Sequence, residues 1–207
     1  NSIPVVTTLH GRQDLPELEP VFREFPEMPL VSISDAQRKP LPWANWAATI
    51  HHGLPRNLYT FHSQAQGYLA FLGRISPEKR PDHAIEIAKR AGLPLRIAAK
   101  VDPADQNYFE AEIEPLLNHP LIEFVGEISD AEKDDFLGNA MALVCPYDWP
   151  EPFGLVLIEA LACGTPVLAY RRGSIPEIIN HGVTGFICET VSEMVDAVGQ
   201  VSFIDRQ

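Results

Sequence analysis

Pro150-Glu151-Pro152-Phe153-Gly154-Leu155, followed by Glu159 and then Ala162-Cys163-Gly164-Thr165-Pro166-Val167, is the stretch from which the rest of this sequence can be read. The Phe-Gly-Leu turn can open a helix. Glu151 then stands just before that helix and Glu159 on its second turn, so both can face one ligand lying across the helix N-terminus. That end carries unpaired N–H groups and partial positive charge, which suits a phosphate. A carboxylate only accepts, and its two oxygens can take two hydroxyl protons at once. Two acids flanking a phosphate-binding helix end read as a site for a sugar nucleotide, one acid holding ribose hydroxyls and the other hexose hydroxyls. Taken alone, the same pair also suits solvated first-turn charges, where acids are favoured. The flanking segments decide between these readings.

Upstream lies Gly73-Arg74-Ile75-Ser76-Pro77-Glu78-Lys79; downstream lie Gly173-Ser174-Ile175-Pro176-Glu177-Ile178-Ile179 and Gly182-Val183-Thr184-Gly185-Phe186. With the glutamate pair, this set resembles the retaining family 4 glycosyltransferases (glycosyltransferase group 1), enzymes of the two-Rossmann-domain GT-B fold. The resemblance spans about residues 68–200, the size of one ordinary domain. It implies transfer of a sugar from a nucleoside-diphosphate sugar with retention of anomeric configuration.

Composition is compatible with that. The chain has 207 residues, 45% hydrophobic and 21% charged, room for one domain and part of a second. Its apolar runs are shorter than the roughly 18 residues that span a bilayer, and no signal peptide is visible at the start. A cytoplasmic location is expected. Net charge of −12 disfavours nucleic acid and anionic lipid as partners, so a polyanionic donor must rely on a few local cations. Three cysteines without metal spacing read as reduced thiols.

The pattern from residue 68 onward alternates strand and helix. Strands are expected at Tyr68–Leu72, Leu95–Ala99, Ile122–Val125, Ala142–Cys145 and Pro166–Ala169. Helices are expected from Pro81 to Ala91, closed by Gly92, from Asp102-Pro103 to Asn118, and from a Ser129/Glu132 capping box to Leu137. The helix carrying Glu159 follows the fourth strand. This order predicts an α/β fold with a Rossmann-like parallel sheet whose ligand binds at the strands' carboxyl ends. Residues 68–207 are expected to form the donor-binding domain and residues 59–67 a linker. Residues 1–58, with strands at Ile3–Leu9, Leu30–Ser34 and Ala47–Ile50, resemble the last part of the family's acceptor domain. Ile33-Ser34-Asp35-Ala36-Gln37-Arg38 and Ile50-His51-His52-Gly53-Leu54 carry that likeness. The resemblance reads the chain as truncated at both ends and predicts little transfer by the 207 residues alone. Self-association through exposed strand edges of the incomplete domain is expected.

Arg74 and Lys79, in the family's diphosphate motif, are the cations expected to neutralise charge on the departing phosphate. No Asp-x-Asp pair occurs, which fits transfer without a metal, and no cofactor is expected beyond the donor substrate. Gly73, Phe153 and Leu155 complete the donor motifs. Gly154 is expected to let backbone approach phosphate. Glu159 is assigned to the ribose hydroxyls and Glu151 to the transferred sugar, as binder or as stabiliser of oxocarbenium-like charge. Lys100 can reach a phosphate or point to solvent. Gly126-Glu127-Ile128 resembles the segment that reads the base, which stays open. His10, in Thr7-Thr8-Leu9-His10-Gly11, matches a family histidine facing the donor sugar. Asp14, His51 and His52 are expected to be structural or solvent-facing. The acceptor, saccharide, lipid-linked or small, is unspecified. Competing readings are a sugar-nucleotide epimerase, which fits the glutamate pair poorly, and a nucleotide-sugar-binding module without transferase activity of its own.

Overall fold

The computed structural model describes residues 3–207 and contains two parallel sheets. The larger has six strands: β4 (Leu69–Arg74), β5 (Leu95–Lys100), β6 (Ile122–Gly126), β7 (Ala142–Cys145), β8 (Val167–Tyr170) and β9 (Gly185–Cys188). Their order is β6-β5-β4-β7-β8-β9. The central strands are apolar runs buried on both faces, as a sheet covered by helices requires. Helix α3 (Pro81–Ala91) starts on a proline and ends at Gly92, and Ala84, Ile85 and Ala88 are buried in the core. The Ser129/Glu132 capping box opens α6 (Asp130–Gly138). Helices α7 (Leu155–Ala162), α8 (Ile175–Ile178) and α9 (Val191–Val198) complete this portion.

The smaller sheet pairs β1 (Thr7–Thr8), β2 (Leu30–Ser32) and β3 (Trp46–Thr49) in that order, with α1 (Glu19–Glu24) and α2 (Asp35–Arg38) in the connections. Its core is small, centred on Phe22, Leu30 and Leu41.

Four expectations need correction. The strand over Ile3–Leu9 shrinks to Thr7–Thr8, because its neighbour β2 is only three residues long and the ladder ends with it. The helix expected from Pro103 to Asn118 is broken into a 3₁₀ turn (Pro103–Asp105), α4 (Gln106–Tyr108), a π-helical stretch (Phe109–Ile113) and α5 (Glu114–Leu117). Pro115 has no N–H to give the preceding turn, and just before it the Glu114 N–H reaches back to Phe109 O in the wider π pattern. The strand expected at Pro166–Ala169 begins at Val167, since Pro166 cannot donate to a ladder. Finally, the expected series of elements stops at the fifth strand, whereas α8, β9 and α9 follow it. β9 is four residues long and lies inside a turn-rich motif.

All three cysteines are free and buried. Burial pushes the Cys145 and Cys163 thiols up to about 12 and Cys188 up to about 11, from the ordinary 9.0. The folded chain therefore holds these protons more tightly than the unfolded one. That contribution to stability is complete below pH 9 and is lost as pH climbs through 9 toward 12. A thiol reagent at pH 7.5 should leave the native chain unlabelled and label all three after denaturation; rapid native labelling would contradict the burial.

Candidate active site

The sheet reverses direction between β4 and β7. From β4 the chain winds outward through β5 and β6; from β7 it winds the other way through β8 and β9. In such a sheet the crevice between the loops leaving the carboxyl ends of these two strands is the usual place for a ligand. The loop after β4 carries Lys79, and the loop after β7 carries Tyr147, Trp149 and Glu151.

These loops meet. Lys79 Nζ donates to Glu151 Oε2 at 2.6 Å, with side-chain exposures of only 15% and 9%. The ammonium lies 3.8 Å from the Tyr147 ring centre and 5.1 Å from that of Trp149, a cation–π setting. Tyr147 is fully buried, and its phenol is pushed well above its ordinary value by burial, with Cys145, Glu151 and Glu159 adding to it.

Gly154 caps α7 with φ of 85°, a left-handed conformation. A side chain there would press on Leu157 at 2.9 Å and Glu151 at 3.3 Å. The glycine is required by the turn itself, a reason different from the approach to phosphate expected above. Phe153 is buried and Leu155 exposed at the start of α7. Glu159 lies near Lys133 Nζ at 3.6 Å, and burial and then Glu159 raise the Tyr59 phenol above its ordinary value.

The remaining expected residues line the strand ends. Arg74 and Lys100 are register partners on β4 and β5, closing their strands rather than following them. Arg74 is half exposed and pairs with Glu78 and Asp102 at 3.4 Å each; Lys100 pairs with Asp102 at 3.2 Å. Lys100 and then Arg74 hold the Asp102 carboxyl below its ordinary value. A phosphate arriving here competes with these acids. Gly73 lies against the Tyr147 hydroxyl, 3.9 Å from where its Cβ would be. Gly126 ends β6 in a left-handed conformation, followed by exposed Glu127 and half-buried Ile128.

Across the crevice, His10 stacks on His52, with ring centres 5.2 Å apart and Nδ1 to Nε2 at 3.5 Å. His52 meets the edge of Phe153 at 5.0 Å, and His51 lies 3.3 Å from Glu177. His51 is exposed and His52 half-buried, and both lie beside the Phe153 ring, with His10 stacked on His52. Burial and His10 lower the His52 imidazole below its ordinary value. Asp14 instead binds Arg12 at 2.6 Å, and Arg12 lies over Trp149 at 5.7 Å. Sequence reasoning missed Tyr147 and Trp149, whose only signal was two aromatics beside the glutamate motif.

The profile described as "Glycosyl transferases group 1" matches residues 61–202, more than half of the chain. The chain belongs to this glycosyltransferase family. Among curated relatives, the D-inositol 3-phosphate glycosyltransferase of Mycolicibacterium smegmatis is 27% identical over 90% of the chain and 45% of its own length. That of Mycobacterium leprae is 33% identical over 64% of the chain and 32% of its own length. The chain thus spans less than half the length of these curated relatives. Among solved structures, the Anabaena protein HepE in complex with UDP superposes with a TM-score of 0.80 at 21% identity, covering 97% of this chain and 63% of that one. Sucrose-phosphate synthase from Thermosynechococcus elongatus gives a TM-score of 0.78 at 19% identity, covering 95% and 58%. At these identities the likeness is one of fold: parallel α/β sheets resembling the Rossmann-like domains of GT-B glycosyltransferases.

Proposed function

We propose that the group 1 glycosyltransferase containing this chain moves a sugar from a nucleoside-diphosphate sugar to an acceptor with retention of configuration and without a divalent metal, and that residues 68–207 bind the donor. The observation that carries this reading is the Lys79–Glu151 contact beside the Gly154-capped start of α7, at the switch point of the sheet. The HepE structure was solved with UDP, which agrees with a nucleotide ligand for this fold.

In this reading the diphosphate lies over the start of α7. Charge grows on the departing phosphate as the glycosidic bond breaks. Lys79, with two N–H groups left after its bond to Glu151, Arg74 and the α7 N–H groups stabilise that charge more in the transition state than in the ground state. Glu159 accepts the ribose hydroxyls. Glu151, held by Lys79, faces the transferred sugar, and His10 approaches that sugar from the opposite wall. The sugar's acceptor is held between the walls, oriented for attack.

Calorimetry with UDP, GDP and ADP, each in excess EDTA, tests this. One nucleotide should bind in chelator, and Glu159→Ala should cost about 1.5–3 kcal/mol, with a smaller loss for the 2′-deoxy ligand. Binding abolished by chelator would remove metal independence. Equal losses for both ligands would remove the ribose role. No binding of any nucleotide would remove the donor-site assignment.

A further inference from the structure

The loop that carries Glu151 has an anchoring problem written into its sequence. Pro150 and Pro152 have no N–H, so the loop must be held largely through its carbonyls. Three successive carbonyls are taken by two serines. Ser174 N–H donates to Glu151 O at 2.9 Å, and the Ser174 hydroxyl donates to Phe153 O at 2.8 Å. Ser34 Oγ donates to Pro152 O at 2.6 Å. Ser174 belongs to the larger sheet's portion. Ser34 does not: it follows β2 of the smaller sheet, 118 residues away, and it is completely buried.

Ser34 is also the N-cap of α2, accepting from Gln37 N–H at 3.0 Å. The two N–H groups before Gln37 find their acceptor across the crevice. Asp35 N–H and Ala36 N–H donate to the two oxygens of Glu177 at 2.8 and 2.7 Å. Glu177 stands on α8, immediately after the Gly173-Ser174 turn that grips the Glu151 loop. The start of α2 is therefore capped by a carboxylate of the other portion, while the cap residue of α2 holds the catalytic loop of that portion. Separating the two portions would break both links together.

We propose that Ser34 and Glu177 form a clasp through which the smaller sheet positions the Glu151 loop, making Ser34 a positioning residue for donor binding although it lies outside the donor-binding portion. The inference rests on the donor-site reading for its consequence, and on hydrogen bonding alone for its mechanism. Removing the Ser34 hydroxyl orphans Pro152 O and Gln37 N–H in a buried place, and the loop relaxes toward solvent to hydrate them. Glu151 then loses its fixed approach to Lys79.

Amide hydrogen exchange on the ligand-free chain tests the mechanism without any nucleotide. Ser34→Ala should speed exchange of the Ser174 and Glu151 amides by about tenfold, leave the β5 and β7 amides unchanged, and be rescued by Ser34→Thr. Glu177→Gln, which keeps the volume, should produce the same local opening. Unchanged Ser174 and Glu151 exchange in a folded Ser34→Ala chain overturns the clasp, as does a uniform rise that includes β5 and β7. Calorimetry separates the donor-site reading. If the unsubstituted chain binds a nucleotide, Ser34→Ala should weaken it about tenfold, and this loss should largely vanish in a Glu151→Gln background. Additive losses overturn the coupling through Glu151. If the unsubstituted chain binds none, the donor-site reading fails, while exchange still decides the clasp.

Discussion

Replacing Lys79 by methionine is expected to weaken nucleotide binding by about 30-fold and to destabilise the fold by about 3 kcal/mol. Two separate effects are combined in those numbers. Binding suffers because, in the donor-site reading proposed above, the point charge facing the diphosphate is gone. Stability suffers because Glu151, with 9% of its side chain exposed, is left as a buried carboxylate without its 2.6 Å partner. Methionine retains the packing against Tyr147 and Trp149, so the loss is one of charge rather than volume. The second substitution that separates the two effects is Glu151→Gln. In the Lys79→Met/Glu151→Gln chain the unpaired charge is removed, and most of the stability should return while binding stays lost. Urea unfolding and calorimetry on the three variants check this. Full nucleotide affinity in Lys79→Met would show that the ammonium serves only to hold Glu151.

Gly173→Ala should cost about 3 kcal/mol or more and abolish nucleotide binding in the same step. Gly173 has φ of 54°, so any side chain there starts from a strained backbone. A Cβ at this position would also fall inside contact distance of the Glu151 backbone N and O and of the Pro150 carbonyl carbon. Backbone atoms cannot rotate out of the way as a side-chain end can. The alanine must displace the loop, and the loop takes the Glu151 carboxylate with it. Thermal unfolding and calorimetry would register both losses. A Gly173→Ala chain with unchanged melting temperature and intact binding would mean that the turn opens freely and Glu151 is held some other way.

The larger sheet was readable before any coordinates because its signals are short-range. Ala142–Cys145 is a continuous apolar run, as a strand buried on both faces must be, and it forms β7. Pro81, Gly92 and the Ser129/Glu132 box mark helix ends through groups within four residues. Where short-range rules conflict, the reading went astray. The segment from Pro103 to Asn118 has helical periodicity and also Pro115, and the chain resolves the conflict with a π turn that no propensity announces. The four residues of β9 fall between turn residues and become a strand only because β8 offers them a ladder.

The chemistry of the site divides the same way. That Glu151 and Glu159 suit a nucleotide sugar is read from their type and their spacing to a helix start, and Arg74 and Lys79 are added by the resemblance of their segment to the family's diphosphate motif, all properties of the chain as written. That Lys79 lies on Glu151, 72 residues later, depends on β4 lying beside β7, and no local pattern encodes which strands become neighbours. Tyr147 and Trp149 as the walls around Lys79, Ser34 as an anchor of the Glu151 loop, Glu177 as the cap of α2, and His51 and His52 at the Phe153 turn are contacts between distant segments. Periodicity, capping and turn chemistry are settled within a few residues and survive in a bare sequence. Pairings across tens of residues are settled by the order in which strands pack, because that order decides which loop ends share one crevice.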